Sequence, residues 1–147
     1  MKHLLTTFLL IFLFPLNSYG KEYILSANGK ITFIDSITVS EDISRTIMTT
    51  DNTFTDTLGD YGVIKCVITR DTVNKKVEFN GICEGVNQEE KKFWGKLYRR
   101  SDEANAGVGI FEYIRGTDKY YDFVGKKCNY AVRYFRESIS FYKHRCN

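Results

Sequence analysis

Apolar and polar residues alternate with a period of two over most of this chain. Val63 to Thr69 and Lys76 to Cys83 are β-branched or alternating runs, and Phe93 to Arg100, Val108 to Arg115, Cys128 to Phe135 and Ile139 to Cys146 repeat the rule. Alternation sends successive side chains to opposite faces, as a strand with one buried face requires. Near the start, 22–26 and 30–34 flank Asn28-Gly29, the dipeptide that most favours a two-residue hairpin turn. A further strand falls within 36–48, although Ser40-Glu41-Asp42-Ile43 also suits a helical turn. Breaks rich in Gly, Asn and Asp fall at 51–60, 85–90, 101–107 and 116–119. No stretch carries a helical apolar period with start and stop signals. About eight short, regularly punctuated strands predict an all-β domain over 21–147, a small antiparallel β-barrel in preference to a sandwich.

The four cysteines sharpen this picture. Cys66 and Cys83 lie symmetrically about the turn signal Asp71 to Lys76, and Cys128 and Cys146 about Arg136-Glu137-Ser138. Each pair would face across an antiparallel hairpin. The first register also sets Lys65 opposite Glu84, a favourable cross-strand charge pair, and Arg70 opposite Phe79. The second sets Tyr130 opposite His144, Val132 opposite Tyr142, and Arg133 opposite Phe141. Pairing Cys66–Cys83 and Cys128–Cys146 would close loops of roughly 17 residues, each contributing about 3 kcal/mol. Four cysteines allow three connectivities. A link between hairpins, such as Cys83 with Cys128, is the rival and would better resist opening of a barrel.

Residues 1–20 read as a secretory leader: Lys2 and His3, an apolar run Leu4 to Leu16, then Ser18-Tyr19-Gly20 with small residues at −3 and −1. The run is shorter than the roughly 20 residues of a bilayer span, so cleavage after Gly20 is expected, with no transmembrane segment remaining. Export to a periplasm or the exterior accords with disulfides rather than thiol chemistry. The formal net charge of +3 falls by one when Lys2 leaves, too little to imply a polyanionic partner.

Candidate chemistry is sparse. His144 is the one histidine beyond the leader and shares a face with Tyr142, Tyr130 and Tyr134, which makes it either a general base or a packed strand histidine. One histidine and disulfide sulfurs make no metal motif. No nucleophile elbow, phosphate loop, dinucleotide turn or calcium loop is present, so no cofactor is expected. Glu112 shares a face with Ile110 and Ile114 on strict alternation, which would place a carboxylate in a barrel cavity with a raised pKa. The opposite register turns Phe111 and Tyr113 inward and Glu112 to water. Lys126, Lys127, Arg133, Arg136, Lys143 and Arg145 face only Glu137 among aromatics. That mixture suits phosphate contact and base stacking, yet reads more simply as a solvated face; no nucleic-acid partner is expected. Beyond the leader, nine tyrosines, eight phenylalanines and Trp94 fill a core or line a cavity for one small ligand. Glu112, Tyr130, Tyr134, Tyr142 and His144 are the candidate lining.

The run from Gly107 to Tyr130, with Gly116-Thr117-Asp118-Lys119-Tyr120, then Gly125 and Tyr130, resembles a motif of bacterial exported relatives of the allene oxide cyclase barrel, a calycin-like fold. Asp118 stands where that motif has a middle glycine, and Asp visits positive φ more readily than most residues. The resemblance implies a tight turn between barrel strands followed by aromatics that plug the barrel end. It carries fold, not activity, and no cyclase residue is carried over. Three functions follow as expectations: a barrel binding a small apolar or amphipathic molecule or serving as an envelope accessory protein; a protein-interaction module or inhibitor; and a cyclase or isomerase working inside the barrel through Glu112 or a tyrosine.

Overall fold

The computed structural model describes residues 22–136 and 138–147; the expected leader lies outside them. Eight antiparallel strands run β1 (Tyr23–Ser40), β2 (Ile43–Asp56), β3 (Tyr61–Val73), β4 (Lys76–Asn87), β5 (Lys92–Ser101), β6 (Ala106–Gly116), β7 (Lys127–Phe135) and β8 (Ile139–Cys146). Each pairs with its neighbour in sequence, and β1 pairs with β8, so the sheet closes into a barrel. The inward phase carries the core: Leu25 and Ala27 on β1, Ile64 and Ile68 on β3, Phe93 and Leu97 on β5, and Phe111 and Tyr113 on β6 are buried.

Both hairpins have the registers that the cysteine spacing predicts. Cys66 faces Cys83, Lys65 faces Glu84 and Arg70 faces Phe79; Tyr130 faces His144 and Val132 faces Tyr142. The disulfides are Cys66–Cys83 and Cys128–Cys146, with Cα atoms 4.0 and 4.4 Å apart. The link between hairpins is thereby excluded. Asn74 and Lys75 both take positive φ, 51° and 65°, the backbone of the primed turn whose twist matches a hairpin.

Asn28-Gly29 is not a turn. β1 passes straight through it, and the turn into β2 is made by Glu41 and Asp42. Gly29 is required for another reason: a Cβ there would stand 2.0 Å from the Asp51 carbonyl oxygen on β2. Close approach of two backbones, not φ > 0, selects the glycine. Gly29→Ala is therefore expected to cost about 2–3 kcal/mol through forced strand separation, seen as a Tm roughly 10 °C lower. An unchanged melt would mean that β1 does not lie so close to β2.

Past Lys30, β1 loses β8 and pairs with β2 alone. This overhang exposes Phe33, Ile34, Ile37 and Val39, the last by 73%.

The two barrel ends differ. One is formed by the turns at 41–42, 74–75 and 102–105. The other is plugged by a 3₁₀ turn, Asp118–Phe123, that buries Tyr120 and Phe123. Phe123 packs 4.5 Å from the Tyr23 ring and Tyr120 5.0 Å from Phe93. Asp118 has φ 53° and Gly125 φ 86°, the two positions where the chain must reverse. Asp60, buried on the turn after β2, pins the plug: its carboxylate accepts from Lys119 Nζ at 2.7 Å, Gln88 Nε2 at 2.9 Å and Tyr120 Oη at 2.8 Å. Burial alone would raise its pKa, and those hydrogen bonds overrule it, leaving the carboxyl below its ordinary value.

Candidate functional site: the barrel interior

Inward alternation on a closed sheet converges side chains from every strand on one axis. Between them remains a cavity of about 50 Å³, lined among others by Ile64, Ile68, Phe79, Leu97, Phe111 and His144. Its two walls differ in kind. β3, β4, β5 and β6 contribute aliphatic and aromatic groups, with the Cys66–Cys83 disulfide. β2 and β8, which flank β1, contribute Thr50, Asn52, Ser140, Tyr142 and His144. The polar wall is knitted together: Ser140 Oγ donates to Asn52 Oδ1 at 2.8 Å, and Asn52 Nδ2 donates to Thr50 Oγ1 at 2.9 Å.

His144 is the centre of that wall. It is 1% exposed, with Nε2 2.9 Å from the Tyr113 hydroxyl and Nδ1 2.7 Å from the Tyr142 hydroxyl. Burial drives its pKa down to about 3, so the ring is neutral near pH 7. A neutral imidazole carries one N–H; one phenol therefore donates to the ring and the other accepts from it. Burial likewise pushes the Tyr142 and Tyr113 phenols up. At neutral pH these groups form a fixed hydrogen-bonded chain presenting phenol O–H and imidazole to the cavity, able to orient a polar group rather than to remove a proton. Towards the plug, Tyr23 makes a separate hydrogen bond, donating to Asp56 Oδ2 at 3.0 Å.

The structure brings Tyr130, Tyr134, Tyr142 and His144 together on the cavity. It does not bring Glu112. Phe111 and Tyr113 take the inward phase of β6, and Glu112 stands on the outer face opposite Lys96 and Lys127. Two aromatic rings bury far more apolar area than a carboxylate flanked by isoleucines, which decides the register. The barrel has no Glu112 acid or base within it.

A second cavity, about 90 Å³, lies at the turn end and shares Phe79 and Tyr134 with the first; Arg70, Met48, Ala104 and Asn105 also line it. Beside those shared rings sits Arg99, 1% exposed, a residue that belongs to none of the sequence motifs. Its phase was legible: alternation from Phe93 through Leu97 puts Arg99 on the inward face.

Among the described residues no group of His, Cys, Asp and Glu is placed to hold a metal ion, and no helix is long and apolar enough to cross a membrane. No family model matches the chain, and no curated protein or solved structure matches it.

Proposed function

We propose that this protein is an exported β-barrel that binds one small amphipathic molecule in its interior, admitted from the turn end. One observation carries the reading: a closed barrel plugged at one end keeps an internal space with an apolar wall on β3 to β6 and a polar wall on β2 and β8. The Thr50–Asn52–Ser140 strip supplies the polar side of that contrast, its groups paired with one another as buried polar groups must be. The space is far below the roughly 300 Å³ of drug-sized sites, so the ligand is a single short chain with one polar end. Export rests on the leader pattern of residues 1–20 and on four cysteines all held as disulfides. The Gly116–Tyr120 turn supports kinship with the exported relatives of the allene oxide cyclase barrel.

Native mass spectrometry of the protein secreted through its own leader and purified without reductant tests both halves. The expected result is a chain beginning at Lys21 that carries a small adduct lost on unfolding. A chain that retains residues 1–20, or one that carries no adduct and shows no interior response to short amphiphiles, would contradict export and binding respectively. The overhang of β1 and β2, with Ile34, Ile37 and Val39 exposed, favours the interaction module as the second reading, and an unoccupiable interior would leave it standing.

A further inference from the structure

Arg99 presents a physical problem that the barrel itself does not solve. Its guanidinium is buried, lies 3.9 Å over the Phe79 ring and 5.7 Å from that of Tyr134, and makes one hydrogen bond, Nη2 to the Ala104 carbonyl at 2.9 Å. Nε and Nη1 are buried without any partner. Stacking on Phe79 offsets part of the desolvation. A guanidinium cannot shed its proton to escape the rest. Gly107 makes room for it, since a Cβ there would stand 3.0 Å from both Arg99 Cδ and Nη1.

Arg70 adds a second cation at the same end. It lines the outer cavity, and its one hydrogen bond goes from Nη2 to Thr46 Oγ1 at 3.2 Å. Both cations bear on the Tyr134 phenol; burial raises its pKa, and Arg99 and Arg70 each pull it back. Among the described residues neither arginine forms an ion pair, and no carboxylate lines either cavity. The nearest acid along β3, Asp71, is already engaged by Arg45 at 2.6 Å. Arg70 lines the second cavity, and Arg99, which lines neither, lies behind the Phe79 and Tyr134 rings that both cavities share. Two cations without a counter-charge, beside rings that continue into an apolar space, match a planar anion with a short apolar tail.

We infer that Arg99, with Arg70, forms a carboxylate-binding subsite at the turn end of the barrel, holding the head of a small amphipathic acid whose tail enters the interior. The inference rests on the reading of the interior as a ligand site and adds the charge and class of the ligand. The neutral wall around His144 then lies deeper than the head group. Arg99 is a binding residue in this account; nothing in it requires a covalent step.

The test is a calorimetric titration of the oxidised protein with hexanoate, 1-hexanol and inorganic phosphate, repeated on Arg99→Met and Arg70→Met. Hexanoate is expected to bind roughly tenfold or more tightly than hexanol, as charged hydrogen bonds to a desolvated guanidinium require. Arg99→Met should bring hexanoate to the level of hexanol while leaving hexanol unchanged; Arg70→Met should lose part of the preference. Phosphate alone should not saturate the site. Because Arg99→Met changes a buried group, the Arg99 Nε resonance of the unmodified protein is followed as well, and hexanoate should shift it where hexanol does not. Equal binding of acid and alcohol with an unmoved Arg99 resonance would overturn the subsite and leave the ligand reading intact. Binding of neither would remove both. Saturation by phosphate as tightly as by hexanoate would overturn the amphipathic class in favour of a bare anion site.

Discussion

Loss of both disulfides is expected to bring this barrel to the edge of unfolding. Cys66–Cys83 and Cys128–Cys146 join residues 17 and 18 positions apart, and each such cross-link is worth about 3 kcal/mol in the chain-entropy model. Set against a total of about 5–15 kcal/mol for a domain, losing two removes a large share. The bonds are not equivalent. Cys66–Cys83 bridges the middle of β3 and β4 and lines the cavity. Cys128–Cys146 fastens the last residue of β8, which also faces Tyr23 of β1, so it secures the seam where the barrel closes. Urea unfolding should show a midpoint lowered by either Cys-to-Ala pair. Cys128→Ala with Cys146→Ala should in addition lose hydrogen-exchange protection along β8, the strand that closes the seam with β1. Unfolding curves that coincide with and without reductant would refute this account of the fold.

Acid is expected to destabilise the barrel through His144. In the unfolded chain a histidine titrates near 6.5; in the barrel, burial holds it at about 3. Between those values the unfolded state binds a proton that the folded state refuses, so stability rises with pH across the window and is lost as pH falls from about 6.5 towards 3. The full effect is on the order of 5 kcal/mol, and above pH 7 it vanishes. Replacing His144 by Phe removes the titration at the cost of leaving the Tyr113 and Tyr142 hydroxyls without their partner. The variant should therefore be less stable at pH 7 and less sensitive to acid. Thermal melts of both proteins from pH 7.5 to 4 check the sign: a wild-type Tm that holds steady across that range would mean that His144 is not kept neutral by the fold.

The hairpins of β3–β4 and β7–β8 were legible to the residue once the cysteines pair within them, because mirror spacing about a turn then leaves one register; the spacing itself did not exclude a link between hairpins. The plug was legible in outline from Gly116 to Gly125. β2 was harder, for its inward residues include Thr46, Thr50 and Asn52; polar groups that satisfy one another inside a cavity erase the contrast on which alternation depends. Asn28-Gly29 misled for a related reason, since local turn preference yields to a long strand paired on both sides. Glu112 was ambiguous because isoleucine and aromatic residues occupy alternate phases of β6, and only the packed barrel shows which set is inside. Arg99 needed no structure to be placed inward, but its significance lay in what fails to pair with it, which no sequence displays.

The most direct test of an amphipathic ligand site within the barrel is a methyl-labelled NMR titration with hexanoate. Saturable shifts are predicted at the inward-facing Ile64, Ile68 and Leu97, with none at Val67, Ile82 and Ile110 on the outer face. Shifts confined to the outer face, or none at saturating ligand, would contradict it.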